Sequence, residues 1–154
     1  MPTPALIVRQ EGNNAHTHPF VSVYEAYKKS GPNVLGVEAL QGDDGCTGVK
    51  VNTADGYADY LFTATDMQAH HPSKRVSFCG RLGLIREKEG QIQLMYLGCG
   101  RSLKKGNFVL ESDHDVYAAI YMQHGVWYYS ATGPVRVKIG KETKELNEGY
   151  NQKL

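Results

Sequence analysis

The stretch RVSFCGRLGLIREKEGQIQLMYL, Arg75 to Leu97, decides the fold. Val76 and Phe78 alternate with Arg75 and Ser77, and beyond the turn at KEG, Ile92, Leu94 and Tyr96 alternate with Gln91 and Gln93. A period of two sends successive side chains to opposite faces, so these runs are strands packed on one face and wetted on the other. The pattern predicts strands at 75–79, 81–87 and 91–97, with Ile92, Leu94 and Tyr96 turned toward the core. The same period recurs in VRVKI, where Val135, Val137 and Ile139 stand opposite Arg136 and Lys138.

Working outward, further strands are predicted at 4–9, 19–27, 33–40, 46–52, 57–63, 107–111, 115–122, 125–130 and 134–139. Ten tyrosines and many valines suit a pleated, half-buried surface. Seventeen glycines are spread along the chain and mark turns at QGDDG, ADG, KEG, GCG, KKG and ATGP. No window carries a helical stripe, and Met67 to Lys74 is polar and contains a proline. About a dozen strands exceed what one open sheet holds without curling or splitting. The expectation is therefore all-β: an antiparallel β-sandwich of two packed sheets, one domain over residues 1–154, with the polar tail fraying at 147–154.

The composition narrows the function classes. Seventeen Lys and Arg against sixteen Asp and Glu leave a charge of +1, so no global field recommends nucleic acid as a partner. The basic group Arg101, Lys104 and Lys105 reads as a solvated turn. No apolar run approaches the roughly 20 residues that span a bilayer, and no membrane partner is expected. Cys46, Cys79 and Cys99 are odd in number and widely spaced, which writes neither a disulfide framework nor a thiolate zinc site. MPTPALIVRQEG lacks the pattern of a signal peptide, which points to the cytoplasm unless the chain is a piece of an exported protein. No cofactor is expected, because neither GxxxxGK[ST], GxSxG nor His-Glu-x-x-His occurs.

Several groups could still carry chemistry. His16 and His18 fall on one side of an extended segment and could share a metal ion, but a usable site needs further ligands that the sequence does not supply. HHP at His70 to Pro72 reads as a surface loop. SDHDV at Ser112 to Val116 reads equally as a carboxylate–histidine site or as a turn between two strands. In VWYYS, Trp127 and Tyr129 share one face and Tyr128 takes the other, so Trp127 either anchors the core or offers a flat ring for stacking against a pyranose. Arg81, Arg86 and Arg101 could clamp a sugar carboxylate in bidentate fashion.

Taken in order, PALIVRQEG, HPFVSVYEAY, VLGVEAL, VKVNTADGYADYLF and VSFCGRLGLIRE resemble the C-terminal β-sandwich region of heparinase II/III-like and oligoalginate polysaccharide lyases. The resemblance covers about residues 4–100 and extends more loosely to Pro134. It implies a β-domain that follows an N-terminal α/α toroid in enzymes cleaving acidic polysaccharides by β-elimination, with a Tyr and a His as base and acid. The α-proton of a uronate becomes removable only when charge developing on its carboxylate is stabilised. The resemblance also implies that most of the catalytic set comes from the toroid. Ala26 and Tyr27 depart from the family pattern, and no catalytic residue of the family maps onto His16 or His18.

Three readings stand. The first is a carbohydrate-associated module that binds or supports an acidic, uronate-containing glycan, with His16, His18, Tyr27, Arg81 and Trp127 as its substrate-binding residues. The second is a structural or oligomerising β-domain. The third is a small enzyme acting alone on a uronate through Tyr24, Tyr27 or a histidine. Expected partners are an acidic polysaccharide or oligosaccharide and either a second copy or a catalytic toroid chain.

Overall fold

The computed structural model describes Val23, Glu25, residues 31–40, Gly42 and residues 45–154. The predicted strand 4–9, nearly all of 19–27, and His16, His18 and Tyr27 lie outside the described residues. Within them the chain is all β. In chain order the strands are β1 (Val34–Leu40), β2 (Cys46–Thr53), β3 (Tyr57–Ala64), β4 (His70–Ser73), β5 (Val76–Lys88), β6 (Gln91–Lys105), β7 (Phe108–Gln123), β8 (Val126–Ala131), β9 (Val135–Ile139), β10 (Glu142–Leu146) and β11 (Gly149–Lys153).

Three of these strands are much longer than the alternation predicts, at 13, 15 and 16 residues for β5, β6 and β7. Each serves both layers of the sandwich. The start of β5 pairs with β4 and residues 82–88 pair with β3. The start of β7 pairs with β9 and residues 118–123 pair with β8. Between them β6 follows both neighbours along its length. Hydrogen bonding thus joins all eleven strands into one antiparallel sheet that turns a corner and packs on itself. One layer runs β1-β2-β3-β5-β6-β7-β8-β11, and the other is built from β4, β9, β10 and the remaining halves of the long strands.

The corner is made of small residues and bulges. Leu97 pairs with Ala118 and Gly100 with Val116, which leaves one extra residue on β6. Cys99 takes the left-handed conformation there, with φ of 47°. At the same level Gly80 faces Gly100. A Cβ on Gly100 would lie 2.6 Å from the Cys79 carbonyl oxygen and 2.7 Å from the Gly80 Cα. Glycine is needed at Gly100 because two backbones meet. GCG, expected as a turn, is therefore a bulge inside a continuous strand, and the strands expected at 75–79 and 81–87 are one.

A second bulge overturns the predicted facing of β6. Arg86 pairs with Leu94 but Glu87 with Ile92, so Gln93 is the extra residue. One inserted residue flips every side chain beyond it. Ile92 is buried as expected, but Met95 and Leu97 enter the core in place of Leu94 and Tyr96. Both layers feed that core. Phe62 of β3 meets Phe78 of β5 edge to face at 5.0 Å, and Leu103, Leu110, Ile120, Val135 and Val137 complete it.

Two other expectations fail for identifiable reasons. HHP, read as a loop, is the edge strand β4, with His70 4% exposed and Pro72 fully buried. Proline is tolerated on an edge. The tail does not fray at 147–154: β11 pairs with β8, and the Leu154 amide donates to the Trp127 carbonyl at 2.9 Å. Its polar alternation hid strands because an edge strand needs backbone partners more than apolar side chains.

Candidate functional site

Far along the long strands from the corner, the layers open into a mouth. Two hairpins turn beside it through consecutive residues of positive φ, Glu89–Gly90 and His124–Gly125, and a third turns at Gly106. A cleft of about 470 Å³ lies here, lined by Arg75, Gln91, Gln93, Lys105, Asn107 and Trp127 among others. Trp127 is half-buried and points to the inner side of β8, its ring 5.7 Å from that of Phe108. It therefore packs against the core while one side lines the cleft.

Lys105 is the central charge of the mouth. Its neighbour Lys104 points outward to Glu111 at 2.7 Å, but Lys105 turns inward, where its Nζ lies 3.5 Å from the Tyr60 ring centroid and 3.0 Å from the Glu87 carboxylate. Lys105 and Glu87 side chains are each only 13% exposed. Burial pushes the Lys105 ammonium below the ordinary lysine value, opposed by its hydrogen bond to Glu87, and burial followed by the Glu87 charge pushes the Tyr60 phenol up. The pair predicts a specific stability effect. Lys105→Met should cost about 2 kcal/mol in urea unfolding because Glu87 is left half-buried without its cation, and adding Glu87→Gln should recover most of that loss.

Arg75, in the turn entering β5, is exposed and forms no ion pair among the described residues. Arg75 was not singled out in the sequence, and Lys105, read with Arg101 and Lys104 as a solvated turn, instead ends β6 with its side chain turned inward. The usable signal was KKG: on a strand, two adjacent lysines must face opposite ways, so one of them enters the sandwich.

The other grooves differ in charge state. Across the outer face of the second layer a groove of about 510 Å³ holds Arg101, Glu111, His114, Arg136 and Glu145. Its cations are already paired: Arg136 with Glu111 at 2.8 Å and Glu145 at 2.5 Å, and Arg101 with Asp115 at 2.8 Å. SDHD is neither a turn between strands nor a carboxylate cluster. It is an excursion of β7 in which residues 112–115 stand opposite Arg101 alone, pinned by the Ser112 hydroxyl donating to the Pro134 carbonyl at 2.8 Å. No group of three or more metal-ligating side chains converges among the described residues. Glu111 accepts from Lys104 and Arg136, which hold its carboxyl below the ordinary value of 4.5. A depressed carboxylate contributes stability above its unfolded pKa and loses it as pH falls through the folded one. Glu111→Gln should therefore flatten the loss of stability below about pH 4.5, measured by urea midpoints from pH 7 to 3.

A third groove, of about 660 Å³, lies on the outer face of β6, β7, β8 and β11, between Tyr96, Tyr117 and Tyr150. Tyr117 and Tyr150 are 54% and 84% exposed.

Of the residues read as substrate-binding, Arg81 and Trp127 are described, and they are not brought together. Arg81 is exposed at the corner, donating from Nη1 to the Thr65 carbonyl. Arg86, also considered, is committed to Asp59 by a two-point contact at 2.6 and 2.7 Å. Cys46, Cys79 and Cys99 are half-buried, and the Cys79 thiol donates to the Met67 carbonyl at 3.0 Å.

The sequence profile of the endo-acting ulvan lyase C-terminal domain matches residues 34–122, from β1 almost to the end of β7. An endo-acting ulvan lyase of Formosa agariphila is 34% identical over 118 residues, which are 73% of this chain and 14% of that protein. The chain thus corresponds to a small part of that relative's length. No solved structure matches it. The matched span carries the corner glycines, Arg75, Glu87 and Lys105, and the chain belongs to the family of the endo-acting ulvan lyase C-terminal domain.

Proposed function

We propose that this chain is a carbohydrate-associated module of a polysaccharide lyase that binds an acidic, uronate-containing glycan and presents it to a catalytic toroid, as in heparinase II/III-like and oligoalginate lyases. The observation that carries the reading is the mouth, where an arginine with no ion pair among the described residues, a lysine, three side-chain amides and one edge of Trp127 line a single cleft. Sugar sites combine these elements: an apolar ring surface, donors and acceptors for hydroxyls, and a cation for the carboxylate. The relative's name gives ulvan as its polysaccharide, and elimination by a lyase requires a carboxylate beside the departing proton. Arg81, exposed at the corner, and His16, His18 and Tyr27, which lie outside the described residues, remain proposed contacts.

Affinity electrophoresis in gels containing ulvan, alginate, heparin or pectin tests the reading. Retardation in ulvan is the expected result, and unchanged mobility in all four gels overturns it. A parallel assay for the ultraviolet absorbance of unsaturated uronates addresses catalysis by the chain alone, through Tyr24, Tyr27 or a histidine.

A second reading, a structural or oligomerising β-domain, draws on β1, the edge strand among the described residues, where Leu35 and Val37 are 71% and 47% exposed. Light scattering after gel filtration separates the two, since a clean monomer removes the support for self-association through β1.

A further inference from the structure

We propose that the mouth of the sandwich is a subsite for one uronate residue, in which Arg75 takes the carboxylate, Lys105 supplies a fixed second positive charge and Trp127 lines the apolar side of the sugar ring. The inference rests on the glycan-binding reading above and specifies its site.

Charge complementarity is the first argument. The cleft holds Arg75 and Lys105 against the single carboxylate of Glu87, so it keeps an excess positive charge after its internal pair is counted. The groove on the second layer has more charges, but its arginines are spent on Asp115, Glu111 and Glu145. An incoming anion there would have to displace a carboxylate, whereas Arg75 has none to release among the described residues.

Geometry is the second. Lys105 is clamped between Tyr60 and Glu87, so its charge stays in place without further ordering of a long side chain. Arg75 presents a planar fork suited to a carboxylate. Gln91, Gln93 and Asn107 each bring a donor and an acceptor, as ring hydroxyls require. A volume of about 470 Å³ falls within the roughly 300–1,000 Å³ typical of small-ligand clefts.

The chain contains one tryptophan, which lines this cleft and the neighbouring groove of Val137, Ile139 and Leu154, so its emission reports on this end of the sandwich and the Arg75 variants tie a shift to the cleft. Titration of the intact chain with ulvan oligosaccharides should shift Trp127 emission. The same oligosaccharides with carboxyls reduced to alcohols, which leaves any sulfate esters in place, should not. Arg75→Gln should weaken binding at least tenfold while far-ultraviolet circular dichroism and the unfolding midpoint stay unchanged, and Arg75→Lys should fall between, because a point charge replaces the fork. If ulvan retards the chain but Arg75→Gln binds equally, or carboxyl-reduced ulvan binds as well as native, the subsite is wrong and the glycan reading stands. Loss of retardation in Tyr117→Ala or Tyr150→Ala, with Arg75→Gln unaffected, would place the glycan on the tyrosine groove instead. No retardation of the wild-type chain overturns both proposals.

Discussion

Gly100→Ala is expected to lower stability by about 3 kcal/mol, which for a chain of this size is a fall of roughly 6–12 °C in unfolding midpoint. The added methyl has no direction in which to relax. It would meet the Cys79 carbonyl oxygen at 2.6 Å, the Gly80 Cα at 2.7 Å and the Leu97 Cδ1 at 2.6 Å, and two of these three atoms are backbone. β5 and β6 would have to part where both strands bend between layers, breaking ladder bonds on either side of the bulge. Gly36→Ala is the matched control. Gly36 sits in β1 with nothing among the described residues within 4 Å of its Cβ direction and no positive φ, so alanine there should be neutral or slightly stabilising. Equal unfolding midpoints for the two variants would show that the corner does not depend on close backbone approach.

The contrast also explains which parts of the fold were legible in the sequence. Strand alternation found β1 to β3, β8 and β9 almost to the residue, because each keeps one facing along nearly all of its length, β1 slipping only at Leu35. It broke at Gly80, Gln93, Cys99 and the segment 112–115, where a strand continues but its pairing shifts. A glycine in such a place looks like a turn, since a turn and a close approach both need a missing side chain. The site was harder to read for a related reason. Trp127, expected as a core anchor or a stacking ring, shares a cleft with Arg75 and Lys105 rather than with Arg81, and this depends on which side of a bulge each strand continues. No local pattern records that the start of β5, the end of β6 and the start of β8 meet at one mouth.

Phe62→Ala should cost about 3–5 kcal/mol, the most of any single core substitution here, and its coupling to Gly83 should be large. Phe62 and Gly83 are direct cross-strand partners, and the phenyl ring covers the glycine so closely that a Cβ on Gly83 would fall 2.0 Å from its Cε2. The far edge of the ring meets Phe78 in the other layer, which makes Phe62 the side chain that joins the two layers beside the corner. Gly83→Ala alone should cost about 2–3 kcal/mol, because the ring is fully buried and cannot swing aside. Combining the two should cost clearly less than their sum, since the methyl enters space the ring has left; a coupling of about 1–3 kcal/mol in a double-mutant cycle is the expected reading, and strict additivity would contradict this packing. The effect should reach the mouth. Tyr60 lies two residues along the same face of β3, and its ring carries the Lys105 ammonium. Under the proposed glycan reading, Phe62→Ala, which removes the neighbour that fixes this face, should therefore weaken ulvan retention in the folded protein as well, whereas Gly36→Ala should leave it unchanged.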